Sequence, residues 1–208
     1  MAHGIALNSK TTINKGDRMT ARLNIIVAST RPGRVGLPVA RWFHAAAREN
    51  GSFEAHLVDL AEFALPVYDE PHHPRLRKYM HEHTRKWAAS VEAGDAFVFV
   101  MPEYNYGVCP SLVNALNYVY LEWNYKPCAF VSYGGISGGL RAVQMAKQIV
   151  TTQRMWPIFD AVVVPMVNQQ LKDGVFSPND LQKQAANDLL VELKKCAVAM
   201  ATLRNKAI

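Results

Sequence analysis

The sequence predicts a doubly wound α/β domain: five parallel strands in the order 2-1-3-4-5, sandwiched in a three-layer α/β/α arrangement. Three observations carry this reading. Short runs rich in β-branched and aromatic residues alternate with longer runs at helical spacing, so each strand is joined to the next by the crossover that parallel neighbours require. One run, Ala96-Phe97-Val98-Phe99-Val100, is apolar on both faces, as a strand covered by helices on each side must be. Three strands lead into loops dense in glycine, hydroxyl, amide and guanidinium groups, and in open α/β sheets ligands sit outside the carboxyl ends of strands.

The elements follow in order. Residues 1–21, ending Arg18-Met19-Thr20-Ala21, are polar and lack the apolar centre of a secretory signal, so they are expected to form a mobile extension, with Met19 an alternative start. Residues 22–208 are expected to form a single domain. Leu23 to Ala28 is the first strand, and a helix begins near Leu37-Pro38. Its buried face runs through Val39, Trp42, Phe43 and Ala46, and Asn50-Gly51 supplies a left-handed stop. The second strand spans Phe53 to Leu60. The proline-punctuated stretch Leu65-Pro66-Val67-Tyr68-Asp69-Glu70-Pro71 crosses the surface before a helix from about Leu76 to Ala93. The third strand is Ala96 to Val100, followed by a helix from Pro110 to about Leu121. Cys128 to Val131 is the fourth strand, with a helix from Leu140 to about Arg154 behind it. Phe159 to Val164 is the fifth strand, and Val167 to Val175 a loop. Ser177 caps the last helix with Pro178 in its first turn, and Leu181, Ala185, Leu189, Leu193 and Ala197 mark its buried face. Five strands rather than six favour the flavodoxin-like order, which puts the topological switch point between strands one and three.

Composition narrows the function. Half the residues are hydrophobic and 19% are charged, a balance that excludes a disordered chain. No apolar run approaches the ~18 residues of a membrane-spanning helix, so a soluble protein with no membrane partner is expected. Cys109, Cys128 and Cys196 contain no Cys-x-x-Cys pair, which excludes a disulfide framework and a zinc site and fits a reducing cytoplasm. The formal charge of +6 includes a cluster at Arg75, Arg77, Lys78, Arg85 and Lys86, but no basic helix with interleaved aromatics emerges. Nucleic acid is therefore not an expected partner, and the positive field suits anionic dinucleotides. His72, His73, His81 and His83 suggest a metal at first sight; a two-residue spacing on a helix would point His81 and His83 to different sides, so no metal site is expected.

Three loops carry the chemistry. The first is Ser29-Thr30-Arg31-Pro32-Gly33-Arg34-Val35-Gly36. It places two hydroxyls and two guanidinium groups among glycines at a helix start, where unpaired amides and the dipole favour a phosphate; Arg31 or Arg34 can add a charge-assisted bond. The second, Pro102-Glu103-Tyr104-Asn105-Tyr106-Gly107, ends a buried strand with an aromatic ring and an amide suited to a flat heterocycle, Tyr104 packing on or beside it. Glu103 is open to a role as acid, turn residue or subunit contact. The third, Ser132-Tyr133-Gly134-Gly135-Ile136-Ser137-Gly138-Gly139, offers amides near Gly134 and Gly135 for charge developing on a reduced ring, and Arg141 behind it can meet a phosphate or pair on the surface. Phosphate cradle plus planar-ring bed indicates flavin mononucleotide. The helix after Pro110 carries Leu112, Val113, Leu116, Tyr118, Val119, Tyr120 and Leu121 on more than one face, with Trp123 following, which predicts burial against a second subunit.

These residues resemble the NADPH-dependent FMN reductases of flavodoxin-like fold, which include quinone, azo-dye and metal-ion reductases. The resemblance covers about Leu23 to Val167 and is carried by Ser29 to Arg34, by Pro102 to Gly107, its most diagnostic part, and by Tyr133 to Gly139. It implies bound FMN, a dimer or dimer of dimers with the flavin near the interface, and NADPH or NADH as donor. Electrons would pass to a small acceptor such as a quinone, free flavin, azo compound or metal ion. The implied cofactor contacts are Ser29, Thr30, Arg31, Arg34, Val35, Gly36, Pro102, Glu103, Tyr104, Asn105, Tyr106, Ser132, Tyr133, Gly134 and Gly135, with no catalytic side chain, since the chemistry belongs to FMN. Ala28 departs from the glycine many members carry before the serine. Two rivals remain. A flavodoxin-type electron carrier is usually acidic, against the +6 here; a Rossmann dehydrogenase, for which Asp59 would bind ribose, lacks Gly-x-Gly-x-x-Gly after strand one.

Overall fold

A computed structural model describes residues 20–204. Alternating inward positions on both faces of the strands divide the core in two, and the division builds the layers. Ile26, Phe97, Phe99, Met101, Cys128 and Phe130 point to one side of the sheet; Ile25, Val27, Val98, Val100, Ala129 and Val131 point to the other. The strands are β1 (Arg22–Val27), β2 (Glu54–Asp59), β3 (Ala96–Tyr104), β4 (Pro127–Tyr133) and β5 (Trp156–Val164), all parallel in the order β2-β1-β3-β4-β5. The expected order and three-layer architecture are therefore present. Helices α1 (Gly36–Asn50), α2 (Glu82–Ala93), α3 (Pro110–Tyr118), α4 (Leu140–Thr152) and α5 (Asp180–Arg204) cover the sheet, α1 and α5 on one face and α2, α3 and α4 on the other. What was expected of residues 1–19 lies outside the described residues.

Several boundaries differ from expectation, each for a local reason. β3 runs on to Tyr104 and turns back through Asn105 and Tyr106, both with positive φ (49° and 66°), to pair antiparallel with Gly107–Val108. Two consecutive left-handed residues make the tight hairpin turn whose twist matches its strands. Helix α2 starts at Glu82 rather than Leu76, because the Glu70 carboxylate accepts the amides of Met80 (2.9 Å) and His81 (3.1 Å) and fixes the chain there as extended backbone. His81 thus precedes the helix, and its ring stacks on that of His83 at 5.1 Å instead of pointing away from it.

Helix α3 ends at Tyr118, where Val119 turns extended and sends Trp123 under α2, 4.9 Å from the Phe97 ring and 5.8 Å from Trp87. Of the residues that predicted a subunit contact, Leu112, Leu116, Tyr118, Val119 and Trp123 are buried within the chain itself, while Val113 and Tyr120 are partly buried and Leu121 is exposed. The last helix is capped by Asn179 rather than Ser177. The Asn179 side chain accepts the Gln182 amide and the Gln182 side chain accepts the Asn179 amide, both at 2.9 Å, a reciprocal capping box. The buried stripe keeps the expected Leu189, Leu193 and Ala197 but begins with Gln182 and Ala186 in place of Leu181 and Ala185, leaving Leu181 81% exposed. The Ser177 amide instead donates to the Gln170 carbonyl, beside a small hairpin of Leu171–Lys172 with Val175–Phe176.

Candidate functional site

The carboxyl edge of β1, β3 and β4 gathers the three loops. Ala28 closes the first strand, its amide donating to Val100 O at 3.0 Å and its carbonyl accepting the Ser111 hydroxyl at 2.5 Å. Ser29 is buried, and its Oγ lies 2.9 Å from Tyr104 Oη, so the first and second loops are joined by a hydroxyl pair. Tyr104 is thus committed to the serine of the first loop. Helix α1 begins behind Val35 with no side-chain cap and no acidic residue in its first turn, leaving that positive end available to an anion. Tyr133, at the end of β4, packs on this helix start: a Cβ on Gly36 would stand 2.2 Å from its Oη. The Tyr133 hydroxyl and the Ser132 Oγ are buried without hydrogen-bond partners, and burial, helped by the neighbouring Tyr104, pushes the Tyr133 phenol well above its ordinary range.

The two arginines separate. Arg34 pairs with Asp59 at the end of β2, while Arg31 is exposed and lines the cavity. Asp59, the acid that a dehydrogenase would have turned to ribose, also holds the Ala61 amide at 3.0 Å.

Glu103 locks the second loop to the third. Its carboxylate accepts Arg141 Nε at 2.7 Å and the Arg141 amide at 3.1 Å at the start of α4. Burial alone would raise its pKa, but the bonds from Arg141 and Ser137 outweigh this and hold it below the usual carboxylate range. The Arg141 guanidinium in turn lies 3.9 Å over the Tyr106 ring, which is 71% exposed. Of the two roles left open for Arg141, the surface pairing is the one observed. In the third loop the Gly134 amide is taken by Val164 O (3.2 Å), so it is not the free donor expected of it. Gly138 has φ +59°, and a Cβ there would meet Val163 Cγ1 at 2.4 Å, so the loop closes against β5 only with glycine at this point.

Arg31, Val35, Pro102, Glu103, Tyr104, Tyr133, Gly134 and Gly135 line one cavity of about 240 Å³. Its remaining wall, Met166, Val167, Asn168 and Gln169, was missed in the sequence. The Met166 and Val167 amides bond Gly135 O and Gly134 O at 2.9 and 3.1 Å, fastening the end of β5 to the third loop. The signal was available: β5 also ends on this edge. Thr30 faces a second, larger cavity of about 820 Å³ with Leu60, Leu65, Val67, Val113 and Asn114. Asn105 and Tyr106 line neither. Among the described residues no group of three or more His, Cys, Asp or Glu side chains is arranged to hold a metal, and no helix is long and apolar enough to cross a membrane.

Residues 21–169 match the sequence profile described as NADPH-dependent FMN reductase. The chain belongs to this family. It is an FMN-dependent oxidoreductase that draws electrons from NAD(P)H and passes them to a small-molecule acceptor. Among relatives of this FMN reductase, an NAD(P)H-dependent FMN reductase of Schizosaccharomyces pombe is 34% identical over 165 residues, 77% of this chain and 81% of that one. Another, from a Nectria species, is 32% identical over 166 residues, covering 74% and 83%. The fold is shared with the flavoenzyme NAD(P)H:(acceptor) oxidoreductase FerB of Paracoccus denitrificans, at 17% identity and a TM-score of 0.69 over 86% of this chain and 98% of that one. The residues present fit the family's cofactor. An uncapped helix start suits a phosphate monoester, and the Tyr133 hydroxyl packed against it is a buried polar atom lacking a partner.

Proposed function

We propose that Ser29, Arg31 and the first-turn amides of α1 hold the FMN phosphate, and that the ring system rests against Pro102 to Tyr104 and Tyr133 to Gly135, with Met166 to Gln169 as its outer wall. The observation that carries this is the meeting of all three loops around one cavity beside an uncapped helix start. Thr30, Val35 and Gly36 shape the cradle, and Ser132 backs it. Asn105 and Tyr106 act through the hairpin turn and through the Arg141 stack. Bound there, FMN supplies the two-electron chemistry that links a nicotinamide donor to an acceptor. The protein's part is to orient and to exclude water: the Ser29–Tyr104 hydroxyl pair fixes the loops, and Glu103 with Arg141 keeps the second and third at constant spacing.

The acceptor we assign is a flat quinone-type compound, which suits the largely apolar walls of the larger cavity next to Thr30. That groove is also the face on which a second copy of the chain would close, making a homodimer. A reducing, cytoplasmic setting is consistent with Cys109, Cys128 and Cys196 all being free thiols. The test is a visible spectrum of the purified protein. Flavin absorbance that NADPH bleaches and a quinone restores is expected; flavin that ignores NADPH would instead make this a flavodoxin-type carrier.

A further inference from the structure

We propose that Arg34 and Asp59 work as one neutral unit at the rim of the phosphate cradle, Arg34 cancelling Asp59 and fixing the loop while Arg31 meets the phosphate. The inference rests on the reading of the cradle as the FMN phosphate site. Asp59 is the last residue of β2 and stands in register with Val27, so its carboxylate lies beside the strand that feeds the first loop. Both side chains are largely withdrawn from water, 18% and 11% exposed, and Asp59 divides its oxygens between Arg34 Nη2 and the Ala61 amide. The Arg34 amide donates to Arg31 O at 3.1 Å, closing the turn that delivers Val35 and Gly36 to the start of α1. The first turn of α1 carries no acid of its own. An unpaired Asp59 would bring a negative charge, largely sheltered from solvent, to a site meant for a phosphate of nearly two negative charges. Paired, it becomes an anchor that costs the cradle no charge. Arg31 is exposed, lines the cavity, and among the described residues forms no ion pair.

Charge cancellation and direct contact differ in one measurable respect. Full-length protein freed of flavin is titrated with FMN and, separately, with riboflavin, following the quenching of flavin fluorescence. Arg34→Gln should weaken FMN binding about tenfold or more and leave riboflavin within about twofold, because the unpaired carboxylate repels only the phosphate. The double variant Arg34→Gln with Asp59→Asn should return FMN affinity to within about threefold of the parent. A double variant as weak as Arg34→Gln alone makes Arg34 a direct ligand and overturns the proposal. Should Arg34→Gln fail to fold, Asp59→Asn alone decides: an FMN loss beyond about tenfold overturns the proposal, and a loss within about threefold supports it. Arg31→Gln tests the underlying reading separately. If it leaves FMN and riboflavin binding as they are in the parent, Arg31 does not meet the phosphate and the reading of the cradle loses its charged ligand.

Discussion

Gly36 has no room for a side chain, and the reason joins local geometry to function. A methyl group there would lie 2.2 Å from Tyr133 Oη and 2.9 Å from Cζ, so the ring or the helix start must move. Gly36→Ala is expected to destabilise the protein by about 1–3 kcal/mol, as overpacking of a close contact does. It should also weaken FMN retention, since the displaced atoms border the cradle. Urea unfolding together with FMN titration checks both, and an alanine variant matching the parent in each would show that the contact yields without cost. Nothing similar holds at Gly33, whose added Cβ would meet no atom within 4 Å. The meeting of the three loops was legible in the sequence at this scale because Ser29, Arg31 and Tyr133 stand at strand ends, where topology aims every loop at one edge. The Arg34–Asp59 pairing was not, because it depends on strand register across 25 positions. Nor was the capture of the Gly134 amide by Val164, which follows from β5 lying beside β4.

At the scale of elements, the segment between β2 and α2 shows what periodicity leaves out. A helical pattern from Leu76 onward was overridden by long-range carboxylates: Glu70 takes the Met80 and His81 amides, and Asp69 accepts Tyr118 Oη at 2.9 Å and faces His83 Nε2 at 3.0 Å. Burial would raise the Glu70 carboxyl above its ordinary 4.5, yet the bonds from the Met80 and His81 amides reverse that and hold it lower; Asp69 is depressed in the same way by Tyr118 and His83. A depressed acid stabilises the fold at every pH above its unfolded value and ceases to as pH falls through its folded one. This strap between β2 and α2 should therefore stay fastened at neutral pH and loosen below about pH 4. Amide exchange at Met80 and His81, corrected for intrinsic rate, should show protection lost over that acid range in the parent. Glu70→Gln should show weak protection at neutral pH already; equal protection in both proteins would detach Glu70 from the strap. The opposite end of the chain allows a simpler measurement. Removing the reciprocal cap with Asn179→Ala should cost about 1 kcal/mol, read from urea midpoints. No comparable loss should follow from Ser177→Ala, whose side chain does not cap α5.

Across the whole molecule, Leu112, Leu116, Tyr118, Val119 and Trp123 need no second subunit because the chain itself buries them, whereas Val113 and Tyr120 are partly open and Leu121 is 41% exposed. What remains is a surface that includes Val113. Val67 is 89% exposed on the strap, and with Leu60, Leu65, Val108 and Val113 it walls the 820 Å³ groove that reaches Thr30 in the first loop. An apolar groove of this extent is covered in working proteins by a ligand or a partner. A second copy would cover Val67 twice, once from each protomer. Burial of a valine side chain contributes about 1.5 kcal/mol, so Val67→Asp, acting at both symmetric positions, should weaken the dimer by roughly a hundredfold or more. Light scattering behind size exclusion at micromolar concentration should then give a dimer for the parent and a monomer for Val67→Asp, with unchanged helical circular dichroism. A parent that runs as a monomer under those conditions removes the dimer and leaves the groove to the acceptor alone. Because the groove and the phosphate loop share Thr30, a monomeric variant that also loses quinone turnover while retaining FMN would place the partner's covering surface at the acceptor's binding face.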